Sequence, residues 1–163
     1  MGMIKGQGAT EYLVLLGAVL IVALVALALL GFFPGLSTDA KIQQSQAYWQ
    51  SEAKPFSIVE SKVSASTGEV TLALQNKDAT GTFTLNAITL SSGGVTNSTS
   101  GLQIPFPPGS TQQVNGSNVP GMSISGAALG GAYDLQVTFN YTSPSQIPNQ
   151  EYGGKTLTGR YVS

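Results

Sequence analysis

Lys5-Gly6-Gln7-Gly8-Ala9-Thr10-Glu11-Tyr12-Leu13 leads straight into an apolar run, and residues 12–33 carry no charge. As a helix that run is about 33 Å long, enough to cross the hydrocarbon core of a bilayer. It is apolar on every side, so lipid or other helices must surround it. Lys5 and the initiator amine precede it, which keeps the N-terminus cytoplasmic and sends the remainder outside. A short polar leader, a Gly-Gln junction and one acid ahead of the run do not match an ordinary export signal, with its basic start and small-residue cut site.

This arrangement resembles the archaeal type IV pilins with a class III signal peptide, whose pattern is Gln-x-Ser-x-Glu-Tyr after a Lys-Gly pair. Gln7, Glu11 and Tyr12 match it, and Ala9 stands where the pattern has Ser. The likeness is confined to the leader and the apolar run. It implies that a prepilin peptidase removes residues 1–6 by cutting between Gly6 and Gln7. The retained helix would wait in the membrane and then enter a homopolymer, built by pilus assembly machinery, whose core is made of N-terminal helices. It further implies that Glu11 pairs with the freed amine of Gln7 on a neighbouring subunit and so sets subunit register. An unpaired carboxylate at that depth is expensive to desolvate. The simpler alternative places Glu11 in the first helical turn, favoured by the helix dipole. Three rivals to the filament reading stand. One is a monomeric membrane-anchored binding module, another a minor pilin or adhesin. The third is an ordinary signal peptide cut after Ala26-Leu27-Ala28.

Composition narrows the function classes. The 163 residues suffice for one domain with an extension. Charged residues are 9% and the net charge is −1, so no basic surface is available to neutralise phosphates and nucleic acid is not an expected partner. Cys and His are both absent, which removes disulfides, thiolate metal sites, the commonest general base and any Ser-His-Asp arrangement. The acids are dispersed and form no calcium loop. Catalytic, metal and cofactor residues are therefore not expected, and the chain is read as a non-enzyme.

Beyond the apolar run the expected class is α+β, a long N-terminal hydrophobic helix followed by an antiparallel β-sandwich head. Residues 7–54 form the helix and stalk, and residues 55–163 the head. Small residues Gly17, Ala18, Ala23, Ala26, Ala28 and Gly31 permit close helix approach. Pro34 either kinks the helix or ends it, with Gly35 and Leu36 as a hinge and Thr38 as the next N-cap. Residues 38–53 read as further helix with two apolar stripes, Leu36/Ala40/Ala47 and Ile42/Trp49/Ala53. One stripe suits the chain's own head, where Trp49 is placed, and the other suits a neighbouring subunit. Pro55 closes the helix.

Period-two alternation then takes over. Val70, Leu72 and Leu74 mark one strand. Phe83 and Leu85 have the opposite parity to Ile88 and Leu90, which predicts a bulge near Asn86-Ala87. Tyr133, Leu135, Val137, Phe139 and Tyr141 mark another strand, paired across residues 143–154 with a last one carrying Leu157 and Tyr161. The Gly/Ser/Thr/Pro-rich residues 91–132 read as edge strands and connections rather than as an adhesive loop. Asn97-Ser98-Thr99, Asn115-Gly116-Ser117 and Asn140-Tyr141-Thr142 are three candidate N-glycosylation acceptors. Asn97 and Asn115 fall in loop-like sequence, and Asn140 faces away from Phe139 and Tyr141 on its strand.

Overall fold

The structure, a computed structural model, describes residues 7–32 and 34–163; the leader, with Gly6 at the expected junction, and Phe33 lie outside the described residues. Two compact units make up the chain, one ending at Asp39 and the other Ala40–Ser163.

In the first unit, α1 spans Gln7–Phe32. Leu and Ala supply helix propensity, and the many Val residues are tolerated where every backbone polar group must bond within its own segment. The described side chains from Gly8 to Leu29 are exposed all the way round. That stretch is long and apolar enough to cross a membrane. A second helix, α2, spans Pro34–Ala47. Pro34 is helical, the first described residue after Phe33. Gly35, Leu36 and Thr38 lie inside α2, so the expected hinge and the Thr38 N-cap are not realised.

The second unit is built from the end of α2 and the sandwich. After Ala47 the helix widens into a π-type turn over Tyr48–Glu52, closed by Ala53 N–H donating to Tyr48 O at 3.1 Å. Eight strands follow. They are β1 (Phe56–Val63), β2 (Val70–Asn76), β3 (Phe83–Ser92), β4 (Val95–Phe106), β5 (Thr111–Val114), β6 (Ala132–Thr142), β7 (Gln150–Gly153) and β8 (Leu157–Arg160). One sheet has the order β1-β2-β5; in the other, β4-β3-β6-β7, β8 also pairs with β6. Every strand pairing is antiparallel.

Alternation places the core. β2 buries Val70, Leu72 and Leu74, and β6 buries Tyr133, Leu135, Val137 and Phe139. In β3 the register shifts between Leu85 and Ala87 against both neighbours, which lets Leu85 and Ile88 point inward despite their odd spacing. The two sheets meet face to face around Phe56. Its ring lies 5.0 Å from that of Phe106, 5.6 Å from Phe139 and 6.1 Å from Phe83, all edge-on. Such pairs contribute beyond their buried area. On one side the sheets are stitched by a parallel bridge, in which Ala65 N–H donates to Val162 O at 2.8 Å and Val162 N–H to Val63 O at 2.9 Å.

The helix end is seated on the last strands. Trp49 is fully buried, edge-on to Phe139 at 6.2 Å and to Tyr152 at 6.1 Å. Ser45, also buried, donates its hydroxyl to Thr156 O and accepts from Thr158 N–H, both at 2.9 Å. These contacts fill the place where β7 gives way to β8. There the partner register on β6 moves by one residue, from Thr138↔Gly153 to Leu135↔Leu157. Gly154 sits in that gap, and a Cβ on it would come within 2.8 Å of the Trp49 ring and 2.9 Å of Tyr48.

Candidate functional site

The feature with functional content in the first unit is α1 itself. Its first turn holds no acid. Glu11 is the fifth residue of the helix, about 6 Å along the axis from Gln7, and is exposed among exposed apolar neighbours such as Tyr12 and Val14. Helix geometry therefore puts Glu11 one turn past the start, where the helix dipole has begun to fade. Gly6 lies outside the described residues, and of Gln7 only the backbone is described. Ala40 and Ala47 of one predicted stripe are exposed on α2, while of the other stripe Ile42 is half-buried and Trp49 and Ala53, past the end of α2, are buried in the head core.

On the head, the three sequons have three different environments. Asn97 lies within β4, not in a loop. It stands opposite buried Leu90, hence on the inner side of its sheet, and its Nδ2 donates to Ser123 O at 2.5 Å. Thr99, the hydroxyl residue of that sequon, donates to Pro120 O. Asn140 lies near the C-terminal end of β6, half-buried between Ala87 of β3 and Glu151 of β7. Its Oδ1 accepts from Asn86 Nδ2 at 3.5 Å, and the same Nδ2 donates to Thr142 Oγ1 at 2.9 Å. Asn115 opens a turn after β5, and its Oδ1 accepts from Ser117 N–H at 3.0 Å and Asn118 N–H at 3.3 Å.

The outward side of the larger sheet is a sheet of hydroxyls. Thr89 and Ser98 share a hydrogen bond at 2.9 Å across β3 and β4, and Thr96 Oγ1 donates to Ser91 Oγ at 3.1 Å. Two shallow depressions of about 300 Å³ carry the local charges. One is lined by Lys41, Lys155 and Asp134, the other by Lys54, Lys77 and Asp78. Lys155 Nζ stands 5.8 Å from the centre of the Tyr48 ring, and Tyr48 and Tyr152 share a hydroxyl–hydroxyl bond of 2.5 Å. Burial, and then the Tyr48 hydroxyl, hold the Tyr152 hydroxyl far above the usual phenol range. Asp78 is held below the usual carboxylate range by the Thr80 hydroxyl and by the Thr80 and Gly81 amides.

Among the described residues no group of three potential metal-ligating side chains occurs. Nothing in the sequence patterns flagged Ser45, Tyr48 and Tyr152 as the seat of the helix, because their partners are more than 100 residues away. Compared by sequence, the chain matches no family model and no curated protein.

Proposed function

We propose that this chain is the structural subunit of an archaeal type IV pilus-like surface filament, cut after Gly6 and polymerised through α1, with adhesion as its use. The observation that carries the reading is the combination within α1 of exposed apolar side chains on every side with a single carboxylate, Glu11, one turn from its start. A helix with no polar face must be covered by lipid or by other helices. A lone carboxylate in that surface calls for a partner of opposite charge. The amine freed on Gln7 of a second copy is the nearest cation such a polymer offers. The junction residues Lys5-Gly6-Gln7 and the Glu11-Tyr12 pair support processing by a prepilin peptidase. The head closes a core of its own from residues of Ala40–Ser163, which suits a domain displayed outside the cell on a retained helix.

The test is intact mass and N-terminal sequencing of the chain recovered from sheared surface material of its native host. The expected chain begins at Gln7, keeps the apolar helix and is found in the sheared fraction. A chain that still begins near Met1 and stays in membranes overturns the filament reading in favour of an anchored module. One beginning near Leu29 overturns it in favour of an ordinary secreted β domain.

A further inference from the structure

The three sequons are equivalent as sequence, but the fold does not present them equally. Transfer of a sugar to asparagine needs the Nδ2 lone pair to reach the anomeric carbon of a lipid-linked sugar phosphate. The new Nδ2–carbon bond forms as the carbon–oxygen bond to phosphate breaks. The phosphate leaves with its lipid, and the transferase takes the displaced amide proton. The acceptor segment must also enter the transferase as a free loop, so its backbone cannot be tied on both sides into a sheet. Sequons that become glycosylated are accordingly surface-loop features.

Asn97 fails on the first count, although β4 is an edge strand paired with β3 alone. Its Nδ2 is spent on Ser123 O at 2.5 Å, and the side chain lies on the inner side of β4 opposite Leu90. A sugar there would have to part β4 from the chain around Ser123. Asn140 fails on the second count, because β3 and β7 pair with it from either side. Freeing that segment means opening the centre of the larger sheet.

Asn115 meets both requirements. Gly116, Ser117 and Asn118 after it are exposed. Its Oδ1 accepts from Ser117 and Asn118 N–H and its carbonyl from Asn118 and Val119 N–H, all bonds within the turn and none to a sheet neighbour, while its Nδ2 has no acceptor among the described residues. The turn is held open from below, with Asn115 N–H donating to Asn118 Oδ1 at 2.8 Å and Gly116 N–H to Glu69 Oε1 at 3.2 Å. We infer that Asn115 is the one sequon of the three that the folded head offers for N-glycosylation. The inference concerns the head alone and stands or falls independently of whether α1 polymerises.

The experiment gives the purified full chain, in detergent, to a sequon-specific oligosaccharyltransferase with a lipid-linked sugar donor. Short peptides spanning each sequon run in parallel, and glycopeptide mass mapping is the readout. The folded chain is expected to accept at Asn115 at least about tenfold faster than at Asn97 or Asn140, since those two must first give up native hydrogen bonds. The three peptides are expected to accept at similar rates. Ser117→Ala, which keeps the backbone bond to Asn115, abolishes transfer without moving the melting temperature. Transfer to Asn97 or Asn140 in the folded chain at a rate comparable to Asn115 overturns the inference. So does a folded chain that accepts nothing at Asn115.

Discussion

The seating of α2 on the sandwich can be tested at Gly154. Its backbone needs no left-handed conformation, so the cost of a side chain there is steric. A Cβ would stand 2.8 Å from Trp49 Cη2, 3.0 Å from Trp49 Cζ2 and 2.9 Å from Tyr48 Cε1. Ordinary carbon–carbon contact begins near 3.5 Å, so the indole must withdraw by about 0.7 Å. Its way back is closed by Phe139 and Tyr152, both edge-on against it. Overpacking of this kind costs about 1–3 kcal/mol, and restriction of the unfolded chain on Gly→Ala returns about 0.4–1 kcal/mol. Gly154→Ala should therefore destabilise the head by about 1–2 kcal/mol, or about 4–8 °C in melting temperature for a unit of this size. Scanning calorimetry of the full chain in detergent measures the shift, and fluorescence of the single tryptophan follows the displaced ring. In a Trp49→Phe background the six-membered ring carrying Cη2 and Cζ2 is gone, so most of the penalty should disappear as a coupling energy between the two sites. If Gly154→Ala raises the melting temperature, or costs the same in both backgrounds, the helix is not packed on the β7–β8 gap as described.

Three further outcomes follow from other parts of the chain. Glu11→Gln should leave cleavage after Gly6 intact and abolish filaments recovered by shearing; normal filaments would remove the pairing role from Glu11. Asn76 is fully buried, with Nδ2 donating to Phe106 O at 2.8 Å and Gly81 O at 2.9 Å while Oδ1 accepts from Asp78 N–H at 2.8 Å. Asn76→Leu strands those groups and should cost about 3 kcal/mol, and a calorimetric change below about 1 kcal/mol would contradict the network. Burial raises the Tyr133, Tyr141 and Tyr152 hydroxyls, Tyr152 further through Tyr48. Raised folded values mean that their stabilising effect is complete below the unfolded phenol value, near pH 10, and is lost as pH climbs through the folded values. An absorbance titration of the folded head should show these three ionising above the ordinary phenol range. Ionisation of Tyr133, Tyr141 and Tyr152 near pH 10 with the head still folded would refute it.

Local patterns in the sequence carried most of the fold. The alternation of Tyr133, Leu135, Val137 and Phe139 marks β6 because one face of that strand meets the core and the other meets solvent. The parity change between Leu85 and Ile88 marks the bulge because a strand must insert a residue to keep both inside. Trp49 was legible as a head contact from its distance past the apolar run. The misreadings share one cause, which is that the deciding partner is remote. Residues 91–132 were legible as edge strands and connections, but Asn97 was placed in loop-like sequence because the inner positions of β4 are Asn97 and Thr99, polar residues made acceptable there by Ser123 and Pro120. β7 has no alternation of its own and exists because β6 offers it an edge. Pro34 was expected to kink the helix or to end it, with Gly35 and Leu36 as a hinge, yet all three are helical residues of α2. In the candidate site the same division holds. Glu11 and its helix are local and readable. The accessibility of each sequon is tertiary, and so the sequence ranked Asn97 with Asn115.

The proposed filament has a consequence for where its specificity must lie. The buried core of the head is supplied by residues from Trp49 to Tyr161, so the head's own packing does not draw on α1. If α1 leaves lipid for a core of other helices, one apolar surround replaces another, and the gain from apolar area is small. Close packing at Gly17, Ala18, Ala23 and Ala26 then supplies contact without choosing a register, because small residues recur along the helix and several offsets bring them together. Glu11 is different. It is the one carboxylate in the Gln7–Phe32 helix, and in the proposed pairing only a register that brings it to a Gln7 amine gives it a partner. Desolvating an unpaired carboxylate costs several kcal/mol. A polymer of this chain would therefore be cohesive through its apolar helix and ordered through a single charge.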